Sequence, residues 1–216
     1  MLLKRPDLPP NIKKNTVYSF IGFVNLLKIS PSILNDILWT VDGVLMKFFL
    51  KIQGLNVEKS SFDYTGIADK IFIWVVENNY KIHFIGGSKT ESLKFKKIIK
   101  AKYSNINITT QDGYDSLKGF NFNLLTDVDV CVYGLGSPQQ EILALENKDN
   151  FDYSFTCGAF ITQTAKSGGE YYPLIVDKFN VRWLYRMLKE KNHFKRTIKS
   201  LMLLPVVYKK IRLILK

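Results

Sequence analysis

Residues 128–147 read VDVCVYGLGSPQQEILALEN, and the order of signals in them decides the fold. A β-branched and aromatic run at 130–133 stops at two glycines one residue apart, Gly134 and Gly136. Ser137 and Pro138 then open a segment of helix-forming residues. This is a strand, a tight turn and a helix. The same succession appears at 81–103, KIHFIGGSKTESLKFKKIIKAKY. Working outward, strands are expected at 16–25, 81–86, 106–110, 128–134 and 153–158, and helices at 30–39, 44–54, 66–80, 90–103 and 138–147. Short apolar strands alternating with such helices predict an α/β fold: a Rossmann-like, mostly parallel sheet with helices on both faces. Sheets of this kind bind ligands at the carboxyl ends of their strands.

The chain has 216 residues, 46% hydrophobic and 13% aromatic, enough for one substantial core, and no Pro/Gly/Ser-rich linker divides it. The alternation fills residues 1–170. In 171–216, Pro173 opens a segment of helical periodicity without further strands. Charge separates the same two parts. Twelve Lys and Arg residues between 178 and 216 face one acid, Glu190, so that +11 of the formal net charge of +12 lies there. Phe194, Ile198, Leu201, Met202 and Pro205 fall near one helical face with Lys195, Arg196 and Lys199 off it. The result is a basic, amphipathic helical C-terminal appendage suited to an anionic membrane surface. Trp183, Tyr185 and Phe194 interleave with the cations, but an apolar face fits lipid better than a polyanion, so no nucleic-acid partner is expected. The start of the chain lacks signal-peptide character, and no apolar run approaches the roughly 18 residues of a membrane span. A cytoplasmic protein is expected. Cys131 and Cys157 sit in apolar segments outside any CxxC pair and read as buried, reduced thiols. With His83 and His193 the only histidines, no metal site is expected.

The glycine turns carry two readings. Glycine admits close approach of a ligand, and the N–H groups opening the next helix attract an anion. Equally, Ser88 with Glu91 and Ser137 with Gln140 match the S-x-x-E/Q capping box, with Pro138 in the first helical position. Gly134-x-Gly136 also begins a dinucleotide-binding fingerprint. Gln139 occupies the place of its third glycine, however, and Asp152 precedes the next strand instead of closing it. The acidic pair in DVDV, 127–130, reads as entry into a strand and not as a metal site.

Four segments together are more specific: 84–103, QDGYD at 111–115, DVDVCVYGLGSPQQE at 127–141 and VRWLYRMLKEKNHFKR at 181–196. In order and spacing they resemble the WecG/TagA/CpsF glycosyltransferases, glycosyltransferase family 26, from about Val17 to Arg196. The resemblance implies a bacterial enzyme at the cytoplasmic face of the plasma membrane. Such an enzyme moves an N-acetylmannosamine-type sugar from its UDP carrier to a saccharide on undecaprenyl diphosphate, with inversion and without metal or other cofactor, in capsule, teichoic acid or common-antigen assembly. A homo-oligomer is also implied.

Carried over residue by residue, Asp42 in VDGVLM matches the family's proposed base. Inverting transfer needs a carboxylate to accept the acceptor hydroxyl's proton; a plain Asp-Gly turn is the alternative. Asn25 matches a substrate-site asparagine, and otherwise reads as a turn residue. Gly136 and Gln140 match the G-x-G-S-P-x-Q-E segment. Gly86, Gly87, Gly113 and Tyr114 match the turns of the nucleotide-sugar pocket, although Tyr114 also suits a packed loop aromatic. Arg186 and Arg196 match arginines of an appendage that folds over the site. There, guanidinium groups offset the charge gathering on the departing diphosphate. The chain departs from the family pattern at Phe23, Asp63, Arg182, His193 and the YYP of 171–173, and its interval from Asn25 to Asp42 is short. These departures bear on donor identity, and they also admit a catalytically degenerate UDP-sugar-binding or membrane-binding protein.

Overall fold

A computed structural model describes residues 11–22, 25–168, 202 and 204–214. In chain order the elements are β1 (Thr16–Ile21), α1 (Pro31–Leu34), β2 (Ile37–Val41), α2 (Val44–Ile52), α3 (Ala68–Glu77), β3 (Lys81–Gly86) and α4 (Lys89–Lys102). They continue with β4 (Asn107–Gln111), β5 (Val130–Gly134), α5 (Gln139–Glu146), β6 (Tyr153–Thr156), α6 (Phe160–Ser167) and α7 (Leu204–Ile214). The six strands form one sheet in the order β2-β1-β6-β5-β3-β4, and every pairing is parallel. The expected α/β fold with helices on both faces is therefore present.

Period-two alternation along each strand divides the core. From β1, Tyr18 and Phe20 enter one buried cluster with α3, α4 and α6. Val17 and Ile21 enter the other with α1, α2, α5 and α7. The first cluster is aromatic at its centre: the Phe62 ring lies 5.6 Å from Phe160, 5.9 Å from Phe155 and 6.2 Å from Phe20 and Phe84. The helices that follow β1 and β6, neighbours in the sheet, go to opposite faces. That divergence is the topological switch point, the place at which open sheets of this kind bind ligands beyond the strands' carboxyl ends.

Four expectations are corrected. The helix read at 30–39 is a single turn, α1, and residues 37–39 belong to edge strand β2. Trp39 is fully buried there and donates its indole N–H to Leu34 O at 2.9 Å, so tertiary burial overrides the helix signal of Ser30-Pro31. β1 ends at Ile21 instead of running to 25, because the Asn25 side chain takes over the backbone groups at its end. Helix α6 lies where no element is read from the sequence, and two of its four buried positions are Thr164 and Ala165, which give little apolar signal. Finally, Pro138 is the N-cap of α5 and not its first helical residue. Cys131 and Cys157 are free and buried, as expected.

The described part of the basic appendage, α7, packs Val207 and Ile211 into the second cluster. Lys210 reaches from it to three carbonyls of the loop after β1, those of Leu26 (3.2 Å), Leu27 (2.9 Å) and Ile29 (2.8 Å). Burial lowers the Lys210 pKa, while the carbonyls supply the acceptors that its ammonium needs. Among the described residues no helix is long and apolar enough to cross a membrane.

Candidate active site at the carboxyl edge of the sheet

All strands run the same way, so their carboxyl ends form one edge. Registers place the exits in the order Asp42 after β2, Gly22 and Asn25 after β1, Gly158 after β6, Gly134 to Gly136 after β5, Gly86 and Gly87 at β3, and Gly113 and Tyr114 after β4. With about 4.8 Å between strands, Asp42 lies three spacings, roughly 14 Å, from the Gly136 turn.

Asp42 is half-buried and pinned through its backbone. Its N–H donates to Ile21 O at 2.9 Å, and from the outer side Ser60 N–H donates to Val41 O at 2.8 Å. Gly43 then turns the chain into α2, so the Asp-Gly turn exists and presents the aspartate at the edge. Asn25 folds back on β1: its Oδ1 accepts from Gly22 N at 2.5 Å and its Nδ2 donates to Phe20 O at 2.7 Å. Asp63, one of the departures named above, accepts from Ser61 Oγ (2.8 Å), Thr65 N (2.9 Å) and Thr65 Oγ1 (2.6 Å), and holds its own turn.

The capping box expected at Ser137 is not formed. Gln140 is buried, and its Oε1 accepts from Gly136 N (3.2 Å) and Gly158 N (3.1 Å). The side chain clasps the β5 exit to the β6 exit. Its amide orientation follows from its partners, since both glycines can only donate while Nε2 meets Glu141 Oε1 at 2.8 Å. Glu141 is a residue that the sequence reading missed. It is fully buried, and its Oε1 also accepts from Ser137 Oγ (2.9 Å) and Ser19 Oγ (3.0 Å). Ser19 in turn meets Thr156 Oγ1 at 2.7 Å, so Glu141 ties β1 directly, and β6 through Ser19, to the turn after β5. Its i,i+4 spacing from Ser137 was legible in the sequence; Ser19, 122 residues away, was not.

The capping box at α4 is present. Ser88 N donates to Glu91 Oε2 at 2.9 Å and Glu91 N to Ser88 Oγ at 3.3 Å. The Ser88 backbone N–H holds the Glu91 carboxyl below the usual range, with Lys166 at 3.5 Å contributing. An acidic side chain thus already occupies this helix N-terminus. Gly86, with φ +151°, is required by close packing: a Cβ there would stand 2.4 Å from Gly134 O. Gly113 N donates to Gly87 O at 2.9 Å, which locks the β4 exit to the β3 exit. Gly136, with φ +78°, faces open space instead. Tyr114 is 67% exposed beyond β4, its N–H held by Asp112 Oδ1 at 3.0 Å.

The structure thus brings Asp42, Asn25, Gly86, Gly87, Gly113, Tyr114, Gly136 and Gln140 to one edge. Arg186 and Arg196 lie outside the described residues, as do Phe23, Arg182 and His193. Several backbone donors at these turns are spent internally: Gly136 and Gly158 on Gln140, Ser88 on Glu91, and Gly113 on Gly87. Among the described residues no three His, Cys, Asp or Glu side chains converge as a metal-binding group.

Residues 29–214 match the model of the Glycosyl transferase WecG/TagA/CpsF family. The chain is also similar to a UDP-Gal:alpha-D-GlcNAc-diphosphoundecaprenol beta-1,4-galactosyltransferase of Shigella boydii. The two are 37% identical over 164 residues, which cover 72% of this chain and 69% of the relative.

Proposed function

Because the chain belongs to the WecG/TagA/CpsF family of glycosyltransferases, we propose that it moves a sugar from a UDP carrier to a saccharide on undecaprenyl diphosphate, with inversion and without a metal. The observation that carries this reading is the convergence of residues from five strand exits on one edge, with Asp42 near one end and Tyr114 at the other. Tyr114 offers its exposed ring to uracil. The diphosphate lies along the glycine turns, and the sugar points toward Asp42. Asp42 accepts the proton of the acceptor hydroxyl as its oxygen bonds to the anomeric carbon, and the bond to UDP breaks with its electron pair leaving on the diphosphate. The backbone donors counted above are engaged, so the departing charge falls to cations of the appendage, with Arg186 and Arg196 in that role. The reaction takes place at the cytoplasmic membrane face, where the appendage meets anionic lipid, and it serves cell-surface polysaccharide assembly.

Two donors have separate support. The family resemblance points to an N-acetylmannosamine-type sugar, and the Shigella boydii relative favours galactose. A screen of UDP-N-acetylmannosamine, UDP-N-acetylglucosamine and UDP-galactose in EDTA, with a short-chain lipid-diphosphate-sugar acceptor, tests the proposal. Transfer from one of them supports it. Saturable UDP binding with no transfer from any donor would make the chain a binding protein on the same scaffold.

A further inference from the structure

Helix α2 is apolar on two sides. Met46 and Leu50 point into the core and are 1% exposed, whereas Val44, Phe48 and Ile52 are 43%, 62% and 68% exposed. Four-residue spacing sets these three one above another along a single outward stripe. Lys47 and Lys51 alternate with them in sequence, and no acid occurs between 44 and 52. α7 repeats the pattern. It exposes Val206 and Tyr208 beside Lys209 and Arg212, again with no acid. Val207 and Ile211 share one buried cluster with Met46 and Leu50, so the two helices cover the same face of the sheet. Outward apolar residues set among cations alone are the composition of a helix lying in the plane of an anionic bilayer.

Position adds a second argument. α2 begins two residues after Asp42, and nine residues make a helix about 13 Å long. We propose that α2 docks on an anionic lipid surface, with Val44, Phe48 and Ile52 in the headgroup-acyl boundary and Lys47 and Lys51 among the headgroups. Docking sets the Asp42 edge within a helix length of the membrane that holds the acceptor's lipid. This rests on the reading of the acceptor as lipid-linked. A second copy of the chain fits the stripe less well, because a two-fold contact sets the same patch against itself. Lys47 and Lys51 would then meet their own counterparts with no acid between them.

The test uses the full chain with Phe48→Cys carrying an environment-sensitive fluorophore. Cys131 and Cys157 are buried, which makes the labelling selective. Leu93→Cys on α4, exposed at the opposite face of the sheet, is the comparator. With phosphatidylcholine/phosphatidylglycerol vesicles, emission at position 48 shifts to the blue and is quenched by shallow spin-labelled lipid, while position 93 stays unchanged. Absence of vesicle binding, or bound protein whose position 48 is unquenched, overturns the proposal. So does a label already shielded without lipid: concentration-dependent shielding would indicate a second copy, and concentration-independent shielding the rest of the chain. In a second arm, the double variant Phe48→Asp, Ile52→Asp loses tenfold or more of transfer to a bilayer-embedded undecaprenyl acceptor. Its transfer to the short-chain acceptor stays within twofold. Equal loss on both acceptors, or none on either, contradicts the docking role. If the unaltered protein fails even on the short-chain acceptor, the functional reading falls, and the fluorescence still decides the surface.

Discussion

Asn25 shapes the edge at the end of β1. Its amide satisfies Gly22 N–H and Phe20 C=O where β1 stops. Asn25→Ala strands both groups and should lower stability by about 1–3 kcal/mol, seen as a lower urea midpoint at unchanged slope. Tyr114 is the opposite case. Its ring is exposed and supports little of the fold, so Tyr114→Ala should leave the urea midpoint in place. UDP binding measured by calorimetry should weaken roughly tenfold or more, the loss of one base-aromatic stack. His83 contributes through its charge state. Burial pushes its pKa down to about 4 from the ordinary 6.5, while Nδ1 meets Thr109 Oγ1 at 2.8 Å. The unfolded chain therefore binds a proton that the folded chain refuses between these values. Stability is full above about pH 6.5 and declines as pH falls toward 4, by on the order of 3 kcal/mol. Denaturation midpoints across that window should show the slope, and His83→Gln should remove most of it.

At the scale of elements, the glycine turns divide into those the packing requires and those that face open space. A Cβ on Gly86 meets a backbone oxygen, so Gly86→Ala should cost about 3 kcal/mol or more. Gly136→Ala meets open space, carries only the left-handed backbone penalty of about 1–2 kcal/mol, and should act mainly on transfer. Thermal melts of the two variants, with transfer assays alongside, separate these cases. The strand-turn-helix units were legible because each carries local signals: β3 and β5 end on glycine, and Ser88 with Glu91 caps α4. β2 was misread because a helix-initiating Ser-Pro stands only six residues before its first residue, and only the buried Trp39 reveals a strand. The role of Gln140 was hidden for a related reason. One spacing serves both a capping box and a clasp, and the deciding partner, Gly158, belongs to another strand's exit. Glu141 escaped notice because a carboxyl in a first helical turn ordinarily faces solvent, whereas this one is enclosed by Ser19, Ser137 and Gln140.

At the scale of the molecule, composition already separated a nearly neutral body from a basic appendage, and the structure shows how one end of that appendage is held. Val207 and Ile211 anchor α7 in the core, and Lys210 binds the loop that holds Asn25. α7 thus lies against α1 and the loop after β1; with α2 docked as proposed, association with lipid and access to Asp42 become one arrangement. In the proposed function, what ties that arrangement to catalysis is Asp42. The most direct measurement is sugar transfer to a short-chain lipid-diphosphate-sugar in EDTA, by the unaltered chain and by Asp42→Asn. The account predicts turnover without divalent ions and a fall of about 10²–10⁴-fold in the variant, with UDP affinity held within a few-fold. Equal turnover in the variant, or activity that appears only when a divalent ion is supplied, would contradict it.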